Sequence, residues 1–247
     1  ERFVVDSAVG ALQAYRWRQS DLPWEAGRSR GTVLLVHGWE GRGTQLCAFV
    51  DACHAAGFDV VAYDGPAHGA SRENDRGGDR ADVATFSIAV HAVAAAVGDV
   101  RAVIGHSMGA GAVALAVADG LAVDAVALLA PPVSVAAVTA DFCRALGTTP
   151  RTEQVLKKKL GQRFHPYLWH RANFDGAFTD LVGDVAALVV HDVDDAEMPL
   201  ARGHALASAW PGAQFLPTVG LGHRRVLRDP AVVDAVVAFV SARVRPH

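Results

Sequence analysis

Thr32-Val33-Leu34-Leu35-Val36 is continuously apolar and rich in β-branched side chains. A strand with that pattern needs cover on both faces, which in practice means a parallel sheet sandwiched between helices. Phe58–Tyr63, Arg101–Ile104, Val123–Leu129 and Val185–Val190 have the same core-strand character. Helix patterns alternate with them: Gln45–Ala56 with Thr44 as its cap and Gly57 as its stop, Asp79–Val97, Ala110–Ala118, Leu200–Trp210 and Pro230–Arg243. Asp229 is placed to cap the last of these, with Pro230 in its first turn. Phe3–Val5 and Leu12–Trp17 read as short strands on an antiparallel edge, and Gln214–Leu216 as one more short strand. The alternation predicts an α/β fold with a mostly parallel central sheet and helices on both faces.

The pattern changes after Pro132. Val133–Asp180 contains helix-like pieces and no core strand. It reads as a small helical insertion over the sheet, so that residues 1–132 and 181–247 form one core domain and 133–180 a cap. Insertions of this kind often cover binding sites. At 247 residues the chain can bury a large core without metal or disulfide support.

Composition excludes several function classes. Apolar residues make up 51% and charged residues 20%, which is not the signature of disorder. A formal charge of −3 argues against a nucleic-acid partner. The longest charge-free runs, around Ile104 and Ile88, stop short of the roughly 18 residues a membrane span needs. Glu1 and Arg2 lead into a polar–apolar segment without the pattern of a signal peptide. Cys47, Cys53 and Cys143 form no disulfide framework and suit a reduced compartment, so a cytoplasmic location is expected.

Gly105-His106-Ser107-Met108-Gly109 is the strongest local signal. It follows a core strand and opens a helix, the context a nucleophile elbow requires. Flanking glycines let backbone atoms pass closely, and the helix N-terminus favours negative charge beside Ser107. A serine hydroxyl needs a base and an acid that orients it. In this geometry they follow in the order serine, acid, histidine. His191-Asp192-Val193-Asp194-Asp195 follows one strand and Gly220-Leu221-Gly222-His223 another, both at carboxyl ends, where sites in open sheets collect. His223 is the leading base, ahead of His37, His68, His91 and His106. Asp192, Asp194 and Asp195 compete for the acid, and mechanics alone divides the role evenly between Asp194 and Asp195. Met108 N–H and Trp39 N–H, the latter in the loop after Thr32–Val36, are the candidate oxyanion donors. Gly38, Gly41 and Gly43 run G-x-x-G-x-G, which is not the dinucleotide fingerprint. Neither Asp64 with His68 nor the His191–Asp195 run has a metal-ligand framework, so neither a metal nor a cofactor is expected.

The assembled chain resembles the α/β-hydrolase superfamily over nearly all its length except Val133–Asp180. The resemblance rests on His37-Gly38-Trp39, on Asp64-Gly65-Pro66-Ala67-His68-Gly69-Ala70-Ser71, on Gly105–Gly109, and on Gly222-His223. It implies an α/β-hydrolase fold and a serine esterase-like activity. The family's acid loops often read H-G-x-x-D-x-x-V-P, and His191–Pro199 aligns with that pattern without a gap. By this resemblance Asp195 is the acid, although Asp192 replaces the usual glycine and Met198 the usual valine. Asp64 and His68 then hold loops, and Val133–Asp180 occupies the cap position, where Phe142, Phe164, Tyr167, Trp169 and Phe174 are candidates to line the pocket. The implied reaction is hydrolysis of a small-molecule ester, with thioester, lactone or carbon–carbon bond cleavage as alternatives. A non-enzymatic ligand-binding protein of this fold is the alternative from another class. No partner beyond substrate is implied, and the chain reads as a monomer or homodimer.

Overall fold

In a computed structural model, residues 1–19, 29–73, 81–132, 134–163 and 180–244 are described. They build one eight-stranded sheet. The strands are β1 (Arg2–Ser7), β2 (Gly10–Trp17), β3 (Thr32–Val36), β4 (Asp59–Tyr63), β5 (Val100–His106), β6 (Ala125–Leu129), β7 (Ala186–Asp192) and β8 (Gln214–Thr218). Their order is β1-β2-β4-β3-β5-β6-β7-β8. β1 and β2 are antiparallel, as are β2 and β4; the six strands from β4 to β8 are mutually parallel. The expected antiparallel edge is therefore present.

The helices are α1 (Ala48–Ala55), α2 (Gly69–Glu73), α3 (Val83–Val97), α4 (Met108–Ala118), α5 (Val135–Ala145), α6 (Pro150–Arg163), α7 (Leu200–Ala209), α8 (Gly222–Arg225) and α9 (Pro230–Arg243). None of the described helices is long and apolar enough to cross a membrane.

Strand pleating divides the core. Leu34 and Val36 of β3, Val103 of β5, and Val126 and Leu128 of β6 face one apolar cluster, shared with α3, α4 and α7. Val33 and Leu35, Ala102 and Ile104, and Ala127 and Leu129 face the other, shared with α1 and α9. Alternate residues of a strand point to opposite faces, so continuous apolar runs are what a sheet covered twice demands. α4 is buried over nearly its whole circumference and carries mostly Ala, Gly and Val, which lets it lie close against β5 and β6.

Helix ends follow local chemistry. Asp229 accepts from Val232 N–H with Pro230 behind it, as the sequence predicted. α3 begins at Val83, where Asp82 and Thr85 form a reciprocal capping box; the expected start at Asp79 lies outside the described residues. The helix expected from Gln45 opens as a 3-10 turn over Gly43–Leu46, and Thr44 does not cap it. Instead the Asp64 carboxylate takes the Gly43 N–H at 2.6 Å.

Strand order switches sides at β3: β4 lies on one side of it and β5 on the other, all three parallel. A crevice opens at the carboxyl ends of strands where such a switch occurs. The loop after β3 and the turn after β5 both border it.

Candidate active site

Ser107 joins β5 to α4 with φ 51° and ψ −122°, a left-handed conformation for a residue with a side chain. Such a backbone costs roughly 1–3 kcal/mol and persists only where its surroundings fix it. Here Ser107 N–H donates to Leu129 O at 2.9 Å, and its carbonyl accepts from Gly111 N–H at 3.1 Å. The flanking glycines are sterically required. A Cβ on Gly109 would sit 2.3 Å from His37 O, and one on Gly105 2.9 Å from Ala110 Cα.

The loop after β3 is held from several sides. Gly38 N–H donates to Gln45 Oε1 at 2.8 Å, and Gly41 N–H to Gly38 O at 3.1 Å. His37 accepts Gly65 N–H at Nε2 (2.8 Å), so Nδ1 carries the proton and donates to Gly38 O at 2.7 Å. Burial pushes the His37 imidazole down to about 4, which keeps it neutral in this role. His68 accepts Glu40 N–H at Nε2 (3.1 Å) and donates from Nδ1 to Pro66 O at 2.8 Å. Asp64 receives Gly43 N–H, Ala70 N–H and the Tyr15 hydroxyl. These contacts leave Trp39 N–H and Met108 N–H without an acceptor among the described residues. A Cβ on Gly38 would touch the Ser107 Cβ at 3.0 Å, so this loop lies against the serine.

Among the three acids, Asp195 is the one that reaches His223. Its Oδ2 lies 2.7 Å from His223 Nδ1, and both side chains are buried. Its Oδ1 accepts Glu197 N–H at 2.9 Å and Met198 N–H at 2.8 Å. Burial alone would raise the Asp195 carboxyl. The His223 hydrogen bond and the two N–H donors outweigh it and hold the group below the ordinary carboxylate value. Asp194 is turned away and accepts Gly220 N–H at 2.9 Å. Asp192 is occupied by the Thr218 hydroxyl and by the N–H groups of Asp194 and Leu221. Among the described residues, His223 makes no hydrogen bond with Ser107 Oγ.

Two buried histidines flank this pair. His106 Nε2 donates to the His223 carbonyl at 2.9 Å, and its ring lies 4.7 Å from the His223 ring. Burial, reinforced by the neighbouring His223, pushes the His106 imidazole down to about 3. His191 donates from Nε2 to Met198 O at 2.9 Å and stands 3.6 Å from Asp195 Oδ2. Its imidazole is lowered by burial. A reading of His106 as a competing base missed this bracing role; its place immediately before Ser107 was the available signal. His91 lies on α3, away from these groups.

A cavity of about 480 Å³ opens at Ser107. Trp39, Met108, Met198, Val83, Leu115 and Pro132 line it, together with side chains of α5 and α6. Of the five expected pocket aromatics, Phe142 lines it; Phe164, Tyr167, Trp169 and Phe174 lie outside the described residues. Sequence reasoning missed Val135, Val138 and Thr139, although with Phe142 they recur at i, i+3, i+4 and i+7, one helix face.

A mostly parallel sheet with a strained serine elbow beside a buried acid–histidine pair defines the α/β-hydrolase class. The family model described as serine aminopeptidase, S33, matches residues 27–237, and the chain belongs to that family. No curated protein sequence matches it. Similar solved structures include esterase Pf2001 of Pyrococcus furiosus, at TM-score 0.70 and 14% identity, covering 99% of this chain and 93% of that one. The monoacylglycerol lipase of Paleococcus ferrophilus has TM-score 0.70 and 18% identity, covering 94% and 99%. A bromoperoxidase of Bacillus anthracis has TM-score 0.68 and 16% identity, covering 97% and 99%. At these identities the likeness is one of fold.

Proposed function

We propose that this protein is a serine hydrolase that cleaves a small-molecule ester or related acyl compound, carboxylesterase-like, through an acyl-enzyme. The observation that carries the reading is the buried hydrogen bond between Asp195 and His223 at 2.7 Å, beside a serine in an elbow conformation. Asp195 fixes the protonated nitrogen of His223 as Nδ1, which leaves Nε2 to act as base.

Ser107 Oγ attacks the acyl carbon while Nε2 takes its proton. The C–O bond to the leaving alcohol then breaks, and the alcohol takes that proton. A water activated by the same nitrogen attacks the acyl-serine, and the acid leaves as Ser107 recovers its proton. Trp39 N–H and Met108 N–H hold the oxyanion in both steps; one such donor is worth roughly 3 kcal/mol. The His223–Ser107 contact closes when substrate binds, since catalytic hydrogen bonds are commonly loose in the free enzyme. The helices α5 and α6 act as a cap over the site. Thioesters and lactones would pass through the same acyl-serine.

The test is a fluorophosphonate probe with mass mapping, alongside release of p-nitrophenol from a short ester. A single adduct on Ser107, with turnover lost in Ser107→Ala, is expected. Folded protein that takes no adduct from several such probes overturns the proposal.

A further inference from the structure

We infer that the cavity at Ser107 is a chamber for a neutral, unbranched acyl chain of about eight carbons, and that Leu115 sets its length. This rests on the acyl-serine reading above and adds the substrate class.

The described lining of the chamber is almost wholly apolar. Asp82 is the one ionisable side chain among its described lining residues, and its carboxylate is already the cap of α3, accepting Thr85 N–H at 2.8 Å. The other polar lining groups are also committed. Ser134 Oγ accepts Ala137 N–H at 2.9 Å, and Thr139 donates to Val135 O at 2.7 Å. Only Ser107 remains for chemistry. A free α-ammonium, which an aminopeptidase substrate carries, would find among the described lining only the Asp82 carboxylate, already committed to Thr85 N–H, and would lose its hydration against apolar side chains, a costly exchange.

The acyl part of the substrate, rather than the alcohol, belongs inside. The leaving alcohol must receive its proton from His223, and His223 is not among the described residues lining the chamber. The far end is closed, because Leu115 lines it while fully buried. An alcohol released at a closed end would be trapped behind the acyl-serine. An acyl chain can wait there until water arrives.

Geometry gives the length. Met108 and Leu115 both line the chamber and stand seven residues apart on α4, two turns along one face. At about 1.5 Å per residue that is roughly 10 Å. An extended alkyl chain advances roughly 1.25 Å per carbon, from bonds of about 1.5 Å at near-tetrahedral angles. The chamber therefore accommodates about eight carbons before meeting Leu115.

The experiment measures kcat/KM for p-nitrophenyl esters from acetate to palmitate, with aminoacyl p-nitroanilides in parallel. Each methylene that enters should raise kcat/KM roughly threefold, giving a maximum near octanoate and a steep fall by palmitate. The anilides should not turn over. Leu115→Ala should move the maximum two to four carbons longer, by roughly the space that a lost leucine side chain leaves. Val138→Trp, on the exposed side of α5, fills the chamber without disturbing the sheet and should lower the octanoate-to-acetate ratio at least tenfold. A maximum at acetate, a maximum unmoved in both variants, or preferred cleavage of the anilides overturns this inference while Ser107 labelling stands. Absence of Ser107 labelling removes the acyl-serine reading, and this inference with it.

Discussion

His106 Nε2 lies 2.9 Å from the backbone oxygen of His223, 117 residues along the chain. The residue before the elbow serine thus holds the loop that carries the base. Both ends of the proposed proton transfer are fixed by one buried imidazole, and its neutral form is the one that fits, with Nε2–H as donor.

Replacing that imidazole should loosen the base without removing it. His106→Phe is expected to lower kcat about tenfold or more while KM changes little, in line with the 1–3 kcal/mol cost of orphaning the buried His223 carbonyl. His106→Gln, which keeps an N–H donor, should recover part of the loss. Steady-state kinetics beside a thermal melt separate this from general unfolding; equal losses in both variants would refute it.

The acid loop offers a sharp contrast between neighbours. Asp195→Ala should reduce kcat by about 10⁴, since the imidazole loses its tautomeric and positional anchor. Asp194→Ala removes one hydrogen bond to Gly220 N–H and should cost only a few-fold. Comparable losses in the two variants would reassign the acid.

Gly109 is expected to tolerate no side chain. In Gly109→Ala the new methyl would lie 2.3 Å from His37 O, so α4 or the β3 loop must shift. Overpacking of this kind costs roughly 1–3 kcal/mol. A chain of this size should then melt roughly 2–12 °C lower. An unchanged melting temperature would contradict the close approach of helix and loop.

Acid should destabilise the fold through its buried histidines. In the unfolded chain an imidazole takes up a proton near pH 6.5. In the folded protein burial holds His37 down to about 4 and His106 to about 3. The unfolded state therefore binds more protons below pH 6.5. The stability from these two groups is complete above that pH and declines as pH falls toward 4 and then 3. By pH 4.5 the loss should be on the order of 2 kcal/mol per group. Urea midpoints between pH 7.5 and 4.5 measure it; a flat or rising trend toward acid would contradict the burial.

The sheet was legible because its determinants are local and periodic. Val33, Leu34, Leu35 and Val36 admit no exposed face, and helices connecting such runs make the strands parallel; the strand order itself came only from the tertiary structure. Helix starts were less legible. Asp64 lies 21 residues from Gly43 in sequence, yet it satisfies the N–H at which the 3-10 turn begins. No local cap pattern reports such a partner.

The residues of the candidate site were legible as types, less so as pairs. Asp194 and Asp195 are chemically identical neighbours, and spacing alone could not divide them. Their separation comes from the turn after β7, which aims one carboxylate at His223 and the other at Gly220 N–H. Similarly, aromatic side chains drew attention to the pocket, while the lining also includes aliphatic residues of α4, α5 and α6.

By itself the sequence determined the layered sheet, the serine on its sharp turn and a short list of acids and histidines. These depend on apolar periodicity, on glycines and on chain order, all of which act within a few residues. The family resemblance singled out Asp195, but only the tertiary structure gave its contact with the imidazole, the histidine that braces that imidazole and the helices that line the cavity. Each of those rests on a distance of a few ångströms between segments far apart in the chain, fixed by the packing of the whole molecule.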